Sequence, residues 1–297
     1  MLDPTFGVGG VVLFNRVGVL DERAEAVIDR GAGGMFVVGH GWTGTLGELF
    51  RGILLVRLNV DGTVNPSCGG PSGAFFRPRF PDDPFRSALA DLVVTDATFD
   101  GSGILVTGYA HFGTMRRHLF VARFLGADCA IDTGFGPDGS GVTFVSVPTS
   151  HVWGGAVSTE SGGARRIVVA GTIAAFDVTP GVRRGIFAGE MNIFLFGATG
   201  AHEIGMTVPI ERGEGWHEEA TAIARGRTGA FVIGGNSYRV RTAGDVHRMR
   251  VARLSLVGAP TVFAAPTVDL PSSSDEFLSD LFVDSAGIVH AVGSARE

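Results

Sequence analysis

The 297-residue chain carries a net charge of −6, which argues against a nucleic-acid polyanion as its main partner. Hydrophobic residues make up 45% of it, enough for a large core, yet no apolar run approaches the roughly 18 residues of a membrane helix, so no membrane insertion is expected. All 24 basic residues are Arg, which excludes Schiff-base lysine and P-loop chemistry, and 46 glycines imply short strands joined by many tight turns.

The chain opens with MLDPTFGVGGVVLF, an Asp-Pro turn, a Gly-rich run and an apolar strand, with no basic n-region, apolar h-region or cleavage site of a secretory signal. One pattern then recurs along the chain: GGMFVVGHG, GSGILVTGYA, ARRIVVAGTI, TGAFVIGGNS and SAGIVHAVGS. Its aligned glycines are Gly39, Gly108, Gly171, Gly234 and Gly293. Each copy follows another apolar stretch across a Gly-rich turn, as in AEAVIDRGAGG and ADLVVTDATFDGSG, and each pair reads as a β-hairpin. A third strand follows in four copies (RGILLVRL, HLFVARFL, MNIFLF, MRVARLSL), and a fourth after that (GAFF, GVTFV, IGMTV, PTVFA). No helical periodicity is evident.

Four antiparallel strands repeated at about 60 residues predict propeller blades, which pack radially because one blade cannot bury both faces. The fold class expected is all-β: a single domain over 1–297, a five-bladed β-propeller with units 2–73, 74–140, 141–205, 206–265 and 266–297. The fifth unit lacks a third strand, so residues 8–14 are expected to close the last blade beside its second strand. A closed ring predicts a monomer.

The segments LDPTFGVGG, AEAVIDRGAGGMFVVG and LLVRLNVDGTVNP resemble the bacterial delta-60 repeat, whose units resemble β-propeller blades. The resemblance covers all five units unevenly: IDTGFGPDGSG keeps the motif loosely, and the third and fourth units lose it. It implies a secreted or cell-surface bacterial propeller with no assigned activity.

With the strand before each hairpin innermost, a small residue aligns in it at Ala24, Ala90, Gly154, Ala220 and Ser279, and the next register holds Glu25, Asp91, Gly155, Thr221 and Asp280. The three carboxylates, Glu25, Asp91 and Asp280, are the candidates for a glycoside hydrolase or lyase, which pairs an acid with a base across the scissile bond. Gly155 and Thr221 break that ring, and solvation of a polar channel is the competing account. The loops before the first and after the second strands emerge on one face and carry Trp42, Tyr109, Trp153, Arg183, Trp216, His217 and Arg239. Exposed aromatics there stack on sugar rings or anchor a protein partner, against packing between blades as the simpler role.

No metal or cofactor is expected. The Asn59, Asp61 and Asn65 oxygens lack the remaining ligands of a calcium loop, and WHEEA lacks the second His of HExxH. Cys68 and Cys129 occupy unlike places in successive units, which weighs against a disulfide without excluding it. The leading expectation is a non-enzymatic binding module for a protein or carbohydrate partner; a structural spacer within a larger surface protein is a further alternative.

Overall fold

The computed structural model describes residues 2–15, 18–45, 48–70, 73–76, 91–111, 117–148, 150–160, 166–175, 189–208, 216–226, 229–239, 246–256, 261–264 and 275–296. Apart from one 3₁₀ turn at Gly31–Gly33, their regular structure is β. Four antiparallel four-stranded sheets and one two-stranded sheet follow one another along the chain. The first holds β1 (Val19–Asp29), β2 (Met35–Thr45), β3 (Glu48–Leu58) and β4 (Ala74–Phe76). The second holds β5 (Asp91–Phe99), β6 (Gly103–His111), β7 (Arg117–Leu125) and β8 (Val142–Val145). The third is built from β9 (Ser150–Thr159), β10 (Ile167–Ala175), β11 (Gly189–Phe196) and β12 (His202–Thr207). The fourth is built from β13 (Trp216–Arg225), β14 (Phe231–Arg239), β15 (Val246–Ser255) and β16 (Thr261–Ala264). The last has only β17 (Asp275–Val283) and β18 (Val289–Arg296). Strand order in every sheet is sequence order, so each is a meander.

The chain divides into two compact units, one of Met1–Arg116 with Phe120–Phe144, the other of Arg117–Leu119 with Val145–Glu297. In unit 1, Phe36, Val38, Ile53 and Leu55 of the first sheet bury against Leu92, Val94, Ile104, Val106, Phe120 and Phe124 of the second. In unit 2, Val168, Ile193 and Leu195 meet Ala220, Phe231, Ile233 and Leu254. Ala222, Val232 and Met249 then meet Leu278 and Leu281 of the last sheet. Both faces of the hairpins are therefore apolar, as continuous Val/Ile/Leu runs demand.

One device recurs in the first strand of each sheet. The strand pairs with its hairpin partner up to Ala24, Val94, Gly154, Ala220 or Leu278, then bulges by one residue. Opposite those five residues stand Gly39, Gly108, Gly171, Gly235 and Gly293. A Cβ at Gly39, Gly108 or Gly293 would come within 1.9 Å of the carbonyl oxygen just before the bulge, and within 2.1 Å at Gly235. The periodic glycine is thus a steric requirement of the bulge. It also corrects the alignment: the fourth equivalent is Gly235, not Gly234.

In the first, third and fourth sheets the residue after that glycine ties the sheet to the next. A ring N–H of His40 bonds the Val94 backbone. The Thr172 hydroxyl oxygen accepts the Ala220 N–H at 3.1 Å. Asn236 accepts the Leu278 N–H at 2.6 Å and donates to its carbonyl at 3.2 Å. The bulge frees backbone groups from the ladder, and these side chains satisfy them, each bond contributing about 0.5–1.5 kcal/mol net.

Two expectations need correction. Cys68 and Cys129 are disulfide-bonded, with Cα atoms 4.9 Å apart and 61 residues between them in sequence. Unlike places in successive repeats meet because both residues lie in the turns after third strands of adjoining sheets, where Cys68 and Cys129 are buried in one core. Closing a loop of that length stabilises by about 4 kcal/mol in the chain-entropy account. Residues 8–14 do not form a strand of the last sheet. Val8 and Val11 bridge each other, the Gly7 N–H donates to the Asp61 carbonyl, and Phe6, Val12 and Phe14 pack on Leu54, Val56 and Leu58. Over them lies an apolar cavity of about 310 Å³ lined by Val12, Phe14, Val37 and Leu54.

The N-terminal segment nonetheless copies a turn found after β3 and β7. Asp3, Asn65 and Asp132 each accept the backbone N–H of the residue two later through the side chain. Their carbonyls accept the N–H of Phe6, Cys68 and Phe135. The N-terminal segment thus shares one form of Asx turn with the segments after β3 and β7.

The bulge account predicts that Gly108→Ala loses on the order of 3 kcal/mol of unfolding free energy, because backbone must move. Gly33→Ala meets only an ordinary contact at 3.5 Å and changes stability by less than about 0.5 kcal/mol. Urea unfolding of both variants is the check, and equal losses would refute the steric role.

Candidate functional site

Strands alternate in direction, so the start of a first strand, the end of a second and the start of a third share one end of their sheet. In unit 2 that end carries a row of rings. Trp153 near the start of β9 stacks on His217 of β13 at 6.2 Å between centroids, with 18° between planes. His217 meets Tyr238 of β14 at 4.6 Å, Tyr238 meets His247 of β15 at 4.9 Å, and His247 meets Phe277 of β17 at 4.4 Å. The Arg117 guanidinium lies 5.3 Å from the Trp153 ring centre, a cation on a π face.

Hydrogen bonds fix the buried members. The Trp153 indole N–H donates to Glu219 Oε1 at 3.1 Å, and the Gly189 N–H donates to His217 Nδ1 at 3.0 Å. The second bond makes Nδ1 an acceptor, so a neutral His217 carries its proton on Nε2. Gly189 is needed there, since a Cβ would fall 2.4 Å from the imidazole. Trp153 is 7% and His217 6% exposed, whereas Tyr238, His247 and Phe277 are half-buried. The row therefore has a packed base and an accessible rim.

A second cluster lies at the same end of the first sheet, in unit 1. Glu25, the bulge residue of β1, accepts from Arg23 Nε at 2.7 Å and stands 3.7 Å from His40 Nδ1. Burial raises the Glu25 carboxyl above its ordinary range, partly offset by Arg23. Burial, with the nearby Arg51 and Arg23 charges, holds the His40 imidazole at about 4. Arg51 lies over the half-buried Trp42 ring at 4.2 Å, and its backbone N–H donates to Asp91 Oδ1 at 2.9 Å.

The sequence candidates thus fall into several places. Trp42, Tyr109, Trp153 and His217 lie within strands rather than loops, because the strands run longer than the apolar runs suggest. Tyr109 follows Gly108, the register of His40, and meets His111 edge-on at 5.3 Å. Trp216 and Arg239 face each other in the β13–β14 register. Arg183 lies outside the described residues.

The carboxylates do not share a register. The bulge positions are Glu25, Thr95, Gly155, Thr221 and Ser279, which leaves Asp91 at the start of β5 and Asp280 one residue past the bulge. Asp280 is exposed and accepts its neighbour's N–H, from Leu281, at 2.7 Å. Gly155 is required because a Cβ would lie 1.9 Å from the Ala220 carbonyl oxygen. Among the described residues no group of three or more His, Cys, Asp and Glu is placed to hold a metal ion. Tyr238 and Phe277 escaped the sequence reading; their signal is an aromatic residue one or two places in from a strand end in successive units.

No protein-family model matches the chain, and no curated protein sequence matches it. Among solved structures it is similar to the plexin A4 extracellular region, at 8% identity and a TM-score of 0.41. That match covers 95% of this chain and 45% of the plexin chain, so the chain spans under half the length of that structure.

His40 gives a pH signature. Its folded pKa lies below the ordinary value of 6.5, so its contribution to stability is complete above about 6.5 and is lost as pH falls toward 4. The loss is up to about 3 kcal/mol for a shift of this size. Glu25, shifted upward, works in the opposite direction. Urea unfolding between neutral pH and pH 4 will show His40→Gln, which keeps a donor for Val94 without titrating, to be the flatter of the two proteins. Parallel curves would refute the assignment.

Proposed function

We propose that the protein is a five-bladed β-propeller that acts as a non-enzymatic binding module, presenting the end of its sheets that carries the ring row to a protein or glycan partner. The observation that carries this reading is the row itself: five rings across β9, β13, β14, β15 and β17, with Tyr238, His247 and Phe277 only half-buried. Rings held at both neighbours cost little entropy on binding, and their faces suit a sugar ring or an aromatic anchor equally. Arg117 and Glu219 add polar groups at the Trp153 end.

Five sheets with the same bulge and glycine, three of them with the clamp as well, support the propeller, since radial packing is how such sheets bury both faces. The disulfide supports an oxidising compartment, and with it a secreted or cell-surface location.

A glycan array and a panel of purified protein ligands, read with wild type, Tyr238→Ala and Trp42→Ala, test the reading. The expected result is a ligand whose affinity falls at least about tenfold in Tyr238→Ala, a loss of roughly 1.4 kcal/mol, while the melting temperature stays near that of wild type. Wild type that binds nothing, or a ligand indifferent to both substitutions, would overturn it.

A further inference from the structure

The last sheet differs from the other four at one edge. Among the described residues β18 pairs with β17 alone, whereas every other second strand has a third beside it. Register by register the contrast is large. Val292 is 55% exposed, and its equivalents Val38, Thr107 and Ala170 are fully buried. Val289 is likewise exposed where Ile104 and Phe231 are fully buried. β18 contains no Pro, Asp or Glu, and Arg296 at its very end is its one Arg, so the usual devices that keep an open edge from pairing are missing from residues 289–295.

The complete sheets specify what fits there. In the first, Gly39 faces Leu54 and Phe36 faces Arg57. In the fourth, Gly235 faces Arg250 and Val232 faces Arg253. The third strand thus brings an arginine opposite the residue three before the glycine, three residues along from the one that faces the glycine. In the second sheet the third-strand arginine, Arg123, pairs with Asp100 at 3.0 Å. Asp100 closes the hairpin turn: its N–H donates to the Gly103 carbonyl, and its carboxylate accepts from Ser102 and Gly103. Asp284 holds the same place in the last sheet, its N–H donating to the Ile288 carbonyl and its carboxylate accepting from Ala286 and Ile288.

β18 itself has the required spacing, Gly293 followed three residues on by Arg296. We infer that β18 pairs with the β18 of a second copy of this chain, antiparallel and centred on Gly293, to give one continuous four-stranded sheet across a two-fold axis. That register sets Arg296 of the second copy opposite His290, the place that Arg57 takes opposite Phe36, beside the hairpin turn closed by Asp284. It sets Val292 opposite Ser294 of the second copy. A two-fold axis makes each contact twice, so both open edges are satisfied at once.

Sedimentation equilibrium of the full chain over a wide concentration range is the primary test. A reversible dimer is expected, with a dissociation constant raised at least about tenfold by Val292→Lys and by Asp284→Asn. The register is tested separately: mixing Val292→Cys chains with Ser294→Cys chains under mild oxidation should give a disulfide-linked pair in higher yield than either chain alone. A monomer at every concentration, a dimer indifferent to both substitutions, or a dimer without that cross-link overturns the proposal. So does a monomer whose melting temperature rises on adding a peptide of residues 246–256, which would make the edge an acceptor for a foreign strand.

Discussion

Everything regular in this structure follows from one close approach. In each sheet a glycine of the second strand lies against the carbonyl oxygen that precedes a bulge in the first strand, at a distance no side chain tolerates. The bulge turns backbone groups away from their own hairpin. The residue after the glycine, His40, Thr172 or Asn236, hydrogen-bonds the corresponding groups of the following sheet. Glycine, bulge and clamp therefore act together: the glycine permits the bulge, and the bulge supplies the groups that join sheets.

That arrangement also positions the candidate site. Because each hairpin is held at its middle by the bulge, the ends of its strands project in a fixed register, and side chains one to three places in from those ends meet across sheets. Trp153, His217, Tyr238, His247 and Phe277 are such residues. The opposite strand ends are closed by Asx turns such as those of Asp100 and Asp284, whose side chains are engaged with their own backbone.

Much of this was legible in the sequence. The glycines marked the repeat because only glycine fits the close approach, and runs such as ILLVRL and LFVARF marked strands buried on both faces. What was not legible is the bulge, since one extra residue leaves no mark in a period-two pattern. Missing it placed Ser279 where Leu278 belongs, and the likeness of ADLVV to AEAVI placed Ala90 four residues short of Val94; the two shifts made Asp91 and Asp280 look like partners of Glu25. It also made Gly234 rather than Gly235 the equivalent glycine, although a Gly-Gly pair leaves both choices open. The Cys68–Cys129 bond escaped because the geometry that joins two turns of adjoining sheets is tertiary. His40 shows the limit on function: in sequence it is one more histidine beside a strand, and in the structure it is a buried neutral clamp.

The central claim is that the bulge groups are structural joints between sheets, and native-state amide hydrogen exchange measures this directly. The Ala220 and Leu278 amides, bonded to Thr172 and Asn236, should exchange only through opening of the sheets that flank them, as slowly as the core amides of β10 and β14. Exchange of these two amides at the rate of the Gly101 or Gly229 turns would contradict the account.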